Sequence, residues 1–275
     1  MKLKLSVFLI LFYFINIYSQ DSLSPGKTVL QKFQEDAVIF GEDAAAFFTA
    51  PLHFSDKEWF YAAGIAGGSF LSMAADNTIR RNISRKTILS LNKDFWDVPT
   101  TYGVTAYANA LSLTTYAVGL FSGNDELRVT GRLMFESLSL SGISVIALRF
   151  VFGRIRPYYE EGPWSFYWFE TSNEIQSFPS GHVVVAFGLS TVLAERIDNI
   201  WAKIGFYGIA SLTAFSRVYN NQHWFSDVAV ASLLGIGSGL FVLNREEKRM
   251  NPDKDTGIGF SISPSINGIN LKVEF

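Results

Sequence analysis

The sequence predicts an all-α protein: a helical bundle embedded in a membrane, with a short C-terminal β-hairpin. Five largely apolar stretches have helical length: residues 101–121, 133–152, 183–193, 200–215 and 228–243. The first carries no charge along its whole length, which is enough to cross a hydrocarbon core of ~30 Å. The membrane prediction depends on this stretch and on the glycine-rich last one. The stretches 183–193 and 200–215 fit either tilted spans or buried helices of a soluble bundle.

The first twenty residues have the layout of a secretory signal. Two lysines precede a mostly apolar run from Leu5 to Tyr18, and Ser19 follows. We expect residues 1–19 to be a signal peptide cleaved before Gln20, with an uncleaved N-terminal anchor helix as the alternative. On either interpretation the chain that follows leaves the cytoplasm.

Residues 20–100 are predicted to form an N-terminal helical region, with short helices at 27–40 and 43–48. The stretch 61–75 is apolar and rich in Gly and Ala, but it is short for a bilayer crossing. If it spans, the motifs described below face the cytoplasm. We expect that it does not span, which places those motifs on the outer, periplasmic side.

The C-terminal tail, residues 244–275, begins with a charged stretch and ends in alternating apolar and polar residues around Asn267-Gly268. An Asn-Gly pair between alternating segments is typical of a β-hairpin turn. Two strands cannot close a barrel, so we predict a small edge or capping hairpin.

Composition excludes several kinds of site. The 275-residue chain has a net charge of −2 with basic and acidic residues mixed, so no nucleic-acid-binding surface is expected. It has no cysteine, which excludes disulfides, cysteine nucleophiles and thiolate metal sites. The histidines, His53, His182 and His223, form no zinc motif, so we expect neither a metal nor another cofactor.

Three short segments carry the candidate site. They are R-F-V-F-G-R-I-R-P at 149–157, P-S-G-H at 179–182 and S-R-V-Y-N-N-Q-H-W-F-S-D at 216–227. Together they offer guanidinium groups, two imidazoles and a carboxylate. Phosphoryl transfer through a histidine nucleophile requires such a set, because the protein mainly positions groups, stabilises charge and moves protons. The segments therefore predict a phosphatase.

The P-S-G-H segment directly precedes an apolar helix. The backbone N–H groups of Ser180, Gly181 and His182 would open that helix, and such an N-terminus binds anions. Gly181 permits close approach of an oxyanion, and Ser180 adds a hydroxyl. For this tetrapeptide alone, an ordinary Ser N-cap with a surface histidine is an equal alternative.

His223 and Asp227 are four residues apart, a spacing that places both on one face of a helix or helical turn. Asp227 could accept a hydrogen bond from one ring nitrogen and leave the other as the nucleophile. The alternative makes Asp227 the N-cap of the last helix and His223 a loop residue.

Arg149 lies in an apolar run and should have an anionic partner. Arg156 falls on the same face as Arg149 if the helix continues for about two turns, and Arg217 comes from the third segment. Planar guanidinium groups suit phosphate oxygens. Singly, each arginine is more often a salt-bridge or interfacial residue, and we assign that role to Arg154.

In this order the motifs resemble the type 2 phosphatidic acid phosphatase family, which belongs with class A acid phosphatases and vanadium haloperoxidases. Its signature is K-x6-R-P, then P-S-G-H, then S-R-x5-H-x3-D. The resemblance covers roughly residues 101–243, the predicted phosphatase core. One position departs from the signature, because Arg149 stands where the family has lysine.

The resemblance implies a metal-independent α-helical bundle whose active site faces outward. It implies that His223 attacks phosphorus to give a phosphohistidine and that Asp227 orients it. His182 would protonate the leaving oxygen and later activate water. The phosphate oxygens would be bound by Arg149, Arg156, Arg217 and the P-S-G-H segment.

The leading hypothesis is a membrane phosphatase that acts on a lipid phosphate or diphosphate among membrane lipids. The alternatives are a soluble periplasmic acid phosphatase, a vanadium haloperoxidase and a catalytically silent lipid-binding or transport protein. The loop 158–173 matches no head-group recognition pattern, and nothing in the sequence indicates an oligomeric state.

Overall fold

The computed structural model describes residues 26–83, 93–170, 172, 175–252, 259–265 and 268–274. The predicted signal or anchor segment lies outside the described residues. Within these ranges the chain is mostly helical. The helices are α1 (Val29–Thr49), α2 (Asp56–Ser72), α3 (Asp76–Ile83), α4 (Lys93–Tyr102), α5 (Thr105–Ser122), α6 (Asp125–Phe152), α7 (Gly181–Ile197), α8 (Ile200–Tyr219) and α9 (Phe225–Met250).

Two strands near the C-terminal end, β1 (Gly259–Ser265) and β2 (Gly268–Glu274), pair antiparallel, in the segment where the alternating pattern predicts a hairpin. Gly259 lies opposite Glu274, and Ser265 lies opposite Gly268.

Several helix boundaries differ from those predicted. The two short helices expected at 27–40 and 43–48 form the single helix α1, which begins at a capping box between Thr28 and Gln31. The stretch 101–121 was expected to be one helix, and this is wrong. The helix is interrupted between Tyr102 and Thr105, where Gly103 packs against the backbone of His182.

Helix α7 is the centre of the bundle and lies between α6, α8 and α9. Every residue from 183 to 194 is buried, which explains why this stretch is apolar on all sides. The stretch is therefore enclosed by the other helices of the bundle.

The glycine-rich character of α9 comes from close packing against α7. A Cβ atom at Gly235 would lie 2.6 Å from the carbonyl oxygen of Val184 and 2.9 Å from the backbone nitrogen of Gly188. Only a residue without a side chain allows the two backbones to approach this closely.

A network of ion pairs fastens α1 to the far ends of α6 and α9. Arg128 of α6 pairs with Asp36 of α1, at 2.5 Å between Nη1 and Oδ2. Arg245 of α9 pairs with Asp43, at 2.7 Å between Nε and Oδ1. Inside the network Arg132 donates to Glu136 and Glu246.

Two helices in the described part of the chain, Asp125–Phe152 and Phe225–Met250, are long and apolar enough to cross a membrane. Core helices of soluble bundles share this length and composition. The stretch 101–121, on which the membrane prediction depended, is not among them, since α5 carries Ser, Thr and Asn side chains that lower its mean hydropathy.

We expect Gly235→Ala to lower the thermal midpoint of unfolding, because the added methyl group must push α9 away from the backbone of α7. Gly237→Ala, on the same helix, is the matched control, since a Cβ there meets nothing within 4 Å. Thermal melts followed by circular dichroism compare the two. Equal unfolding midpoints for the two variants would show that α7 and α9 accommodate the added methyl group without loss of stability.

Candidate active site

The P-S-G-H segment lies at the start of α7, as predicted. Ser180 occupies the N-cap position, and its backbone N–H donates to the carbonyl oxygen of Asp227 at 3.3 Å. Its hydroxyl makes no capping bond to the helix. The Oγ atom is buried and has no hydrogen-bond partner among the described residues. The ordinary Ser N-cap therefore does not account for this side chain.

Arg149 lies beside this helix start. Its Nε and Nη2 atoms each donate to the carbonyl oxygen of Pro179 at 3.2 Å. A Cβ at Gly181 would lie 3.1 Å from Nη2. The sequence predicts an anionic partner for Arg149, and in the described part of the chain no carboxylate forms an ion pair with it.

Arg156 reaches the same region by a route that the sequence did not predict. Helix α6 ends at Phe152, because Gly153 adopts the left-handed conformation (φ 50°) and its N–H donates to the carbonyl oxygen of Arg149 at 2.9 Å. The expected continuous helix face is therefore wrong. Arg156 is extended at the start of a 3₁₀ turn, Pro157–Tyr159, and its Nη1 lies 3.5 Å from Oε1 of Gln222.

Three buried polar atoms at this site lack a hydrogen-bond partner among the described residues: Ser180 Oγ, Arg156 Nε and Arg217 Nε. A buried donor left unsatisfied costs about 1–3 kcal/mol. Two of the atoms are guanidinium N–H donors and the third is a hydroxyl that can also donate, so the group that suits all of them is an anion.

His223 is buried, and its Nδ1 atom lies 2.8 Å from the carbonyl oxygen of Ser177. A carbonyl only accepts, so Nδ1 carries the hydrogen and Nε2 carries the lone pair. The Oδ2 atom of Asp227 lies farther away, 3.7 Å from Nδ1. The sequence predicted Asp227 as the acceptor. The structure puts the Ser177 carbonyl in that place, in a loop without a sequence signal of its own.

Asp227 also has the helix-capping role that the alternative interpretation gave it, but at the third residue of α9 and not at the N-cap. Its Oδ2 accepts from the backbone N–H of Trp224 at 2.9 Å and from Ser177 Oγ at 2.5 Å. Its Oδ1 accepts from Arg154 Nη1 at 2.6 Å. Asp227 is thus held at three points beside the imidazole.

Arg154 is a salt-bridge residue, as predicted, but it is fully buried and not interfacial. Its Nη1 pairs with Asp227, and its Nη2 donates to Oδ2 of Asp76 at 2.7 Å. Asp76 begins α3, and the sequence analysis did not single it out. An Asp directly after the apolar stretch 61–75 is the signal that could have found it.

Both imidazoles are neutral when no ligand is bound. Burial is the main cause that lowers the pKa of His182, to about 3, and nearby charges lower it further, those of Arg217, His223, Arg149 and Arg156. Burial lowers the pKa of His223 to about 4, against the opposing effect of Asp227. These interactions show that the predicted site residues of all three segments lie close together.

A family model described as the PAP2 superfamily matches residues 131–251, which include all three motifs. Residues 131–251 thus resemble the PAP2 superfamily. The resemblance seen in the motifs is thereby confirmed. Within the matched residues, Arg149 stands where the family signature has lysine, and two nitrogen atoms of its guanidinium group contact the Pro179 carbonyl.

Two further comparisons concern individual proteins. Over 101 residues the chain is 34% identical to a lipid A 1-phosphatase of Porphyromonas gingivalis, an alignment that covers 36% of this chain and 20% of the relative. The chain thus matches about a fifth of that protein's length. Aquifex aeolicus LpxE, a solved structure, is 24% identical with a TM-score of 0.48, covering 61% of this chain and 94% of that chain.

We expect the His182→Asn variant to lose less stability than the wild type as the pH falls. A histidine whose pKa is about 3 when folded and near 6.5 when unfolded binds more protons in the unfolded state, so its contribution to stability falls as the pH drops below about 6.5. Thermal midpoints between pH 6.5 and pH 4 measure the effect. The exposed His53→Asn is the control, and identical slopes in both variants would contradict a neutral, half-buried His182.

Proposed function

We propose that the protein is a phosphatase that hydrolyses a lipid phosphate monoester or diphosphate through a phosphohistidine intermediate. The observation that carries the proposal is the set of unpartnered buried donors, Ser180 Oγ, Arg156 Nε and Arg217 Nε, beside two neutral imidazoles at the start of α7. A tetrahedral anion would satisfy these donors together.

In the first step the Nε2 atom of His223 attacks phosphorus, the new P–N bond forms, and the bond from phosphorus to the leaving oxygen breaks. The Nδ1–H group faces the Ser177 carbonyl and the Asp227 carboxylate, which stabilise the positive charge that develops on the ring. Arg149, Arg156 and Arg217 bind the equatorial oxygens.

His182 supplies the proton to the leaving oxygen. In the empty site its pKa is about 3. A bound phosphate brings negative charge next to the guanidinium groups that lower this pKa, and therefore raises it toward the range of a useful general acid. In the second step neutral His182 takes a proton from water, the hydroxide attacks phosphorus, the P–N bond breaks, and inorganic phosphate leaves.

The lipid substrate is supported by the relationship to the lipid A 1-phosphatase, which makes lipid A the first substrate to test. We propose a membrane position with the site on the periplasmic side. Two apolar helices and the exposed aromatic residues Trp164, Trp168 and Phe169 support it, because tryptophan is enriched at membrane interfaces.

A soluble acid phosphatase is the second candidate. The ion pairs of Arg132 with Glu136 and Glu246 favour it, because they place charged residues within both helices that could otherwise cross a membrane.

We expect EDTA-resistant release of inorganic phosphate from lipid A or another lipid phosphate by detergent-purified protein, lost in His223→Ala because the nucleophile is gone. A polyprenyl diphosphate and a soluble aryl phosphate are assayed in parallel, and the exposed His53→Ala is the control. Faster turnover of the aryl phosphate would favour the soluble enzyme. Full activity in His223→Ala would refute the mechanism.

His182→Ala should discriminate between leaving groups. Loss of a general acid costs about 10²–10⁴-fold when the leaving oxygen must be protonated, as in an alkyl or lipid phosphate. Nitrophenolate leaves without a proton, so kcat/KM for nitrophenyl phosphate should fall far less. Steady-state kcat/KM for both substrates measures this, because it reports the steps up to the phosphohistidine and not the water step that both substrates share. An equal loss on both would assign His182 to binding.

A further inference from the structure

The buried Arg154 guanidinium is not available to substrate. Its Nε and Nη2 donate to the carbonyl oxygen of Pro163 at 2.9 and 2.6 Å. Its Nη1 donates to Ser226 Oγ at 2.7 Å and to Asp227 at 2.6 Å, and its Nη2 also donates to Asp76 at 2.7 Å. The guanidinium is thus surrounded by protein acceptors, and its charge acts on them.

Arg154 lies directly against the carboxylate that supports the proposed nucleophile. A guanidinium paired with Asp227 alone would neutralise it and leave little negative charge for the imidazole of His223. Asp76 changes this balance, because the row Asp76–Arg154–Asp227 holds two negative charges and one positive charge. The row therefore keeps a net negative charge beside His223.

The contacts of Asp76 are those of an ionised carboxylate. Its Oδ1 accepts from the backbone N–H of Ser226 at 2.9 Å, and its Oδ2 accepts from Ser226 Oγ at 2.6 Å and from Arg154. Burial raises the pKa of Asp76 above its usual value, and the hydrogen bonds from Ser226 and the charge of Arg154 offset only part of this rise. Both oxygens act only as acceptors.

We propose that Asp76 is a positioning residue for the reaction: it offsets the charge of Arg154, so that the charge of Asp227 remains available to His223. The inference rests on the proposed function, because it gives Asp76 a part in stabilising the positive ring of the phosphohistidine. The charged groups that face His223 itself are Asp227 on α9, Arg217 on α8, Arg156 in the loop after α6 and His182 on α7 when protonated.

Kinetics separate this role from a purely structural one. We expect Asp76→Asn to lower kcat on a lipid phosphate by about tenfold or more with KM within about twofold, because it acts on the charge that develops after binding. The matched control is Asp43→Asn. Asp43 is equally buried and ion-paired, with Arg245, but lies at the other end of the bundle. It should leave both constants unchanged. Equal kcat values in the two variants would overturn the proposal.

A second measurement does not depend on turnover. The chain has three histidines, so their ring nitrogens can be assigned by NMR with His53→Gln and His182→Gln. His223 should stay neutral to a lower pH in Asp76→Asn than in Asp43→Asn, because a negative charge has been removed nearby. The same titration midpoint in both variants would refute the inference. If the wild type hydrolyses no phosphate ester, the proposed function fails and this comparison still decides the role of Asp76.

Ser226→Ala serves if Asp76→Asn does not fold. The Ser226 hydroxyl accepts from Arg154 and donates to Asp76, so its removal loosens their connection while both charges remain. We expect the same fall in kcat and the same shift of His223, each smaller than for Asp76→Asn. A folded Ser226→Ala protein with the wild-type kcat and the wild-type titration midpoint of His223 would count against the proposal.

Discussion

A single guanidinium, that of Arg154, holds three distant parts of the chain at one point. It ties Asp76 at the start of α3 to Asp227 on α9 and to the loop that contains Pro163. An arginine without its partners would be very costly at this depth, because desolvation of a charge is repaid only by close opposite charges and hydrogen bonds. The position of the candidate nucleophile follows, since His223 donates to the carbonyl oxygen of Ser177, and the hydroxyl of Ser177 donates to Asp227.

The sequence predicted the candidate site better than it predicted the way in which the chain builds it. His182 and His223 are two of the chain's three histidines, and they lie with several arginines in short motifs, so their chemistry can be recognised from the local sequence. The shared helix face of Arg149 and Arg156 failed because Gly153 ends α6, and a glycine after an apolar helix is a known stop signal. Asp76 and Ser177 were missed for a different reason. Asp76 meets Arg154 across 78 positions of sequence, a contact that only tertiary packing defines.

The fold was predicted in its class and in its central helices. The stretch 183–193 is apolar on every face, so its sequence does not show which face of the helix points to the core. The helix α7 is apolar in this way because other helices enclose it on all sides. The ion pairs between α1 and the far ends of α6 and α9 were not predicted, because each partner resembles an ordinary surface charge when it is viewed along the sequence alone. Buried pairs of this kind add little net stability, because the cost of desolvating the charges offsets much of their attraction.

The ion pairs also show that the segment matched by the family model is smaller than the unit that folds. The family match begins at residue 131, yet Arg154, inside it, depends on Asp76, and Arg132 and Arg245 have carboxylate partners on α1, at Asp36 and Asp43. A fragment cut at the boundary of the match would expose unbalanced arginines at both ends of the bundle. Folding therefore requires more of the chain than residues 131–251. Helices α1 and α3, which lie before residue 131, supply carboxylate partners to the arginines of the matched segment.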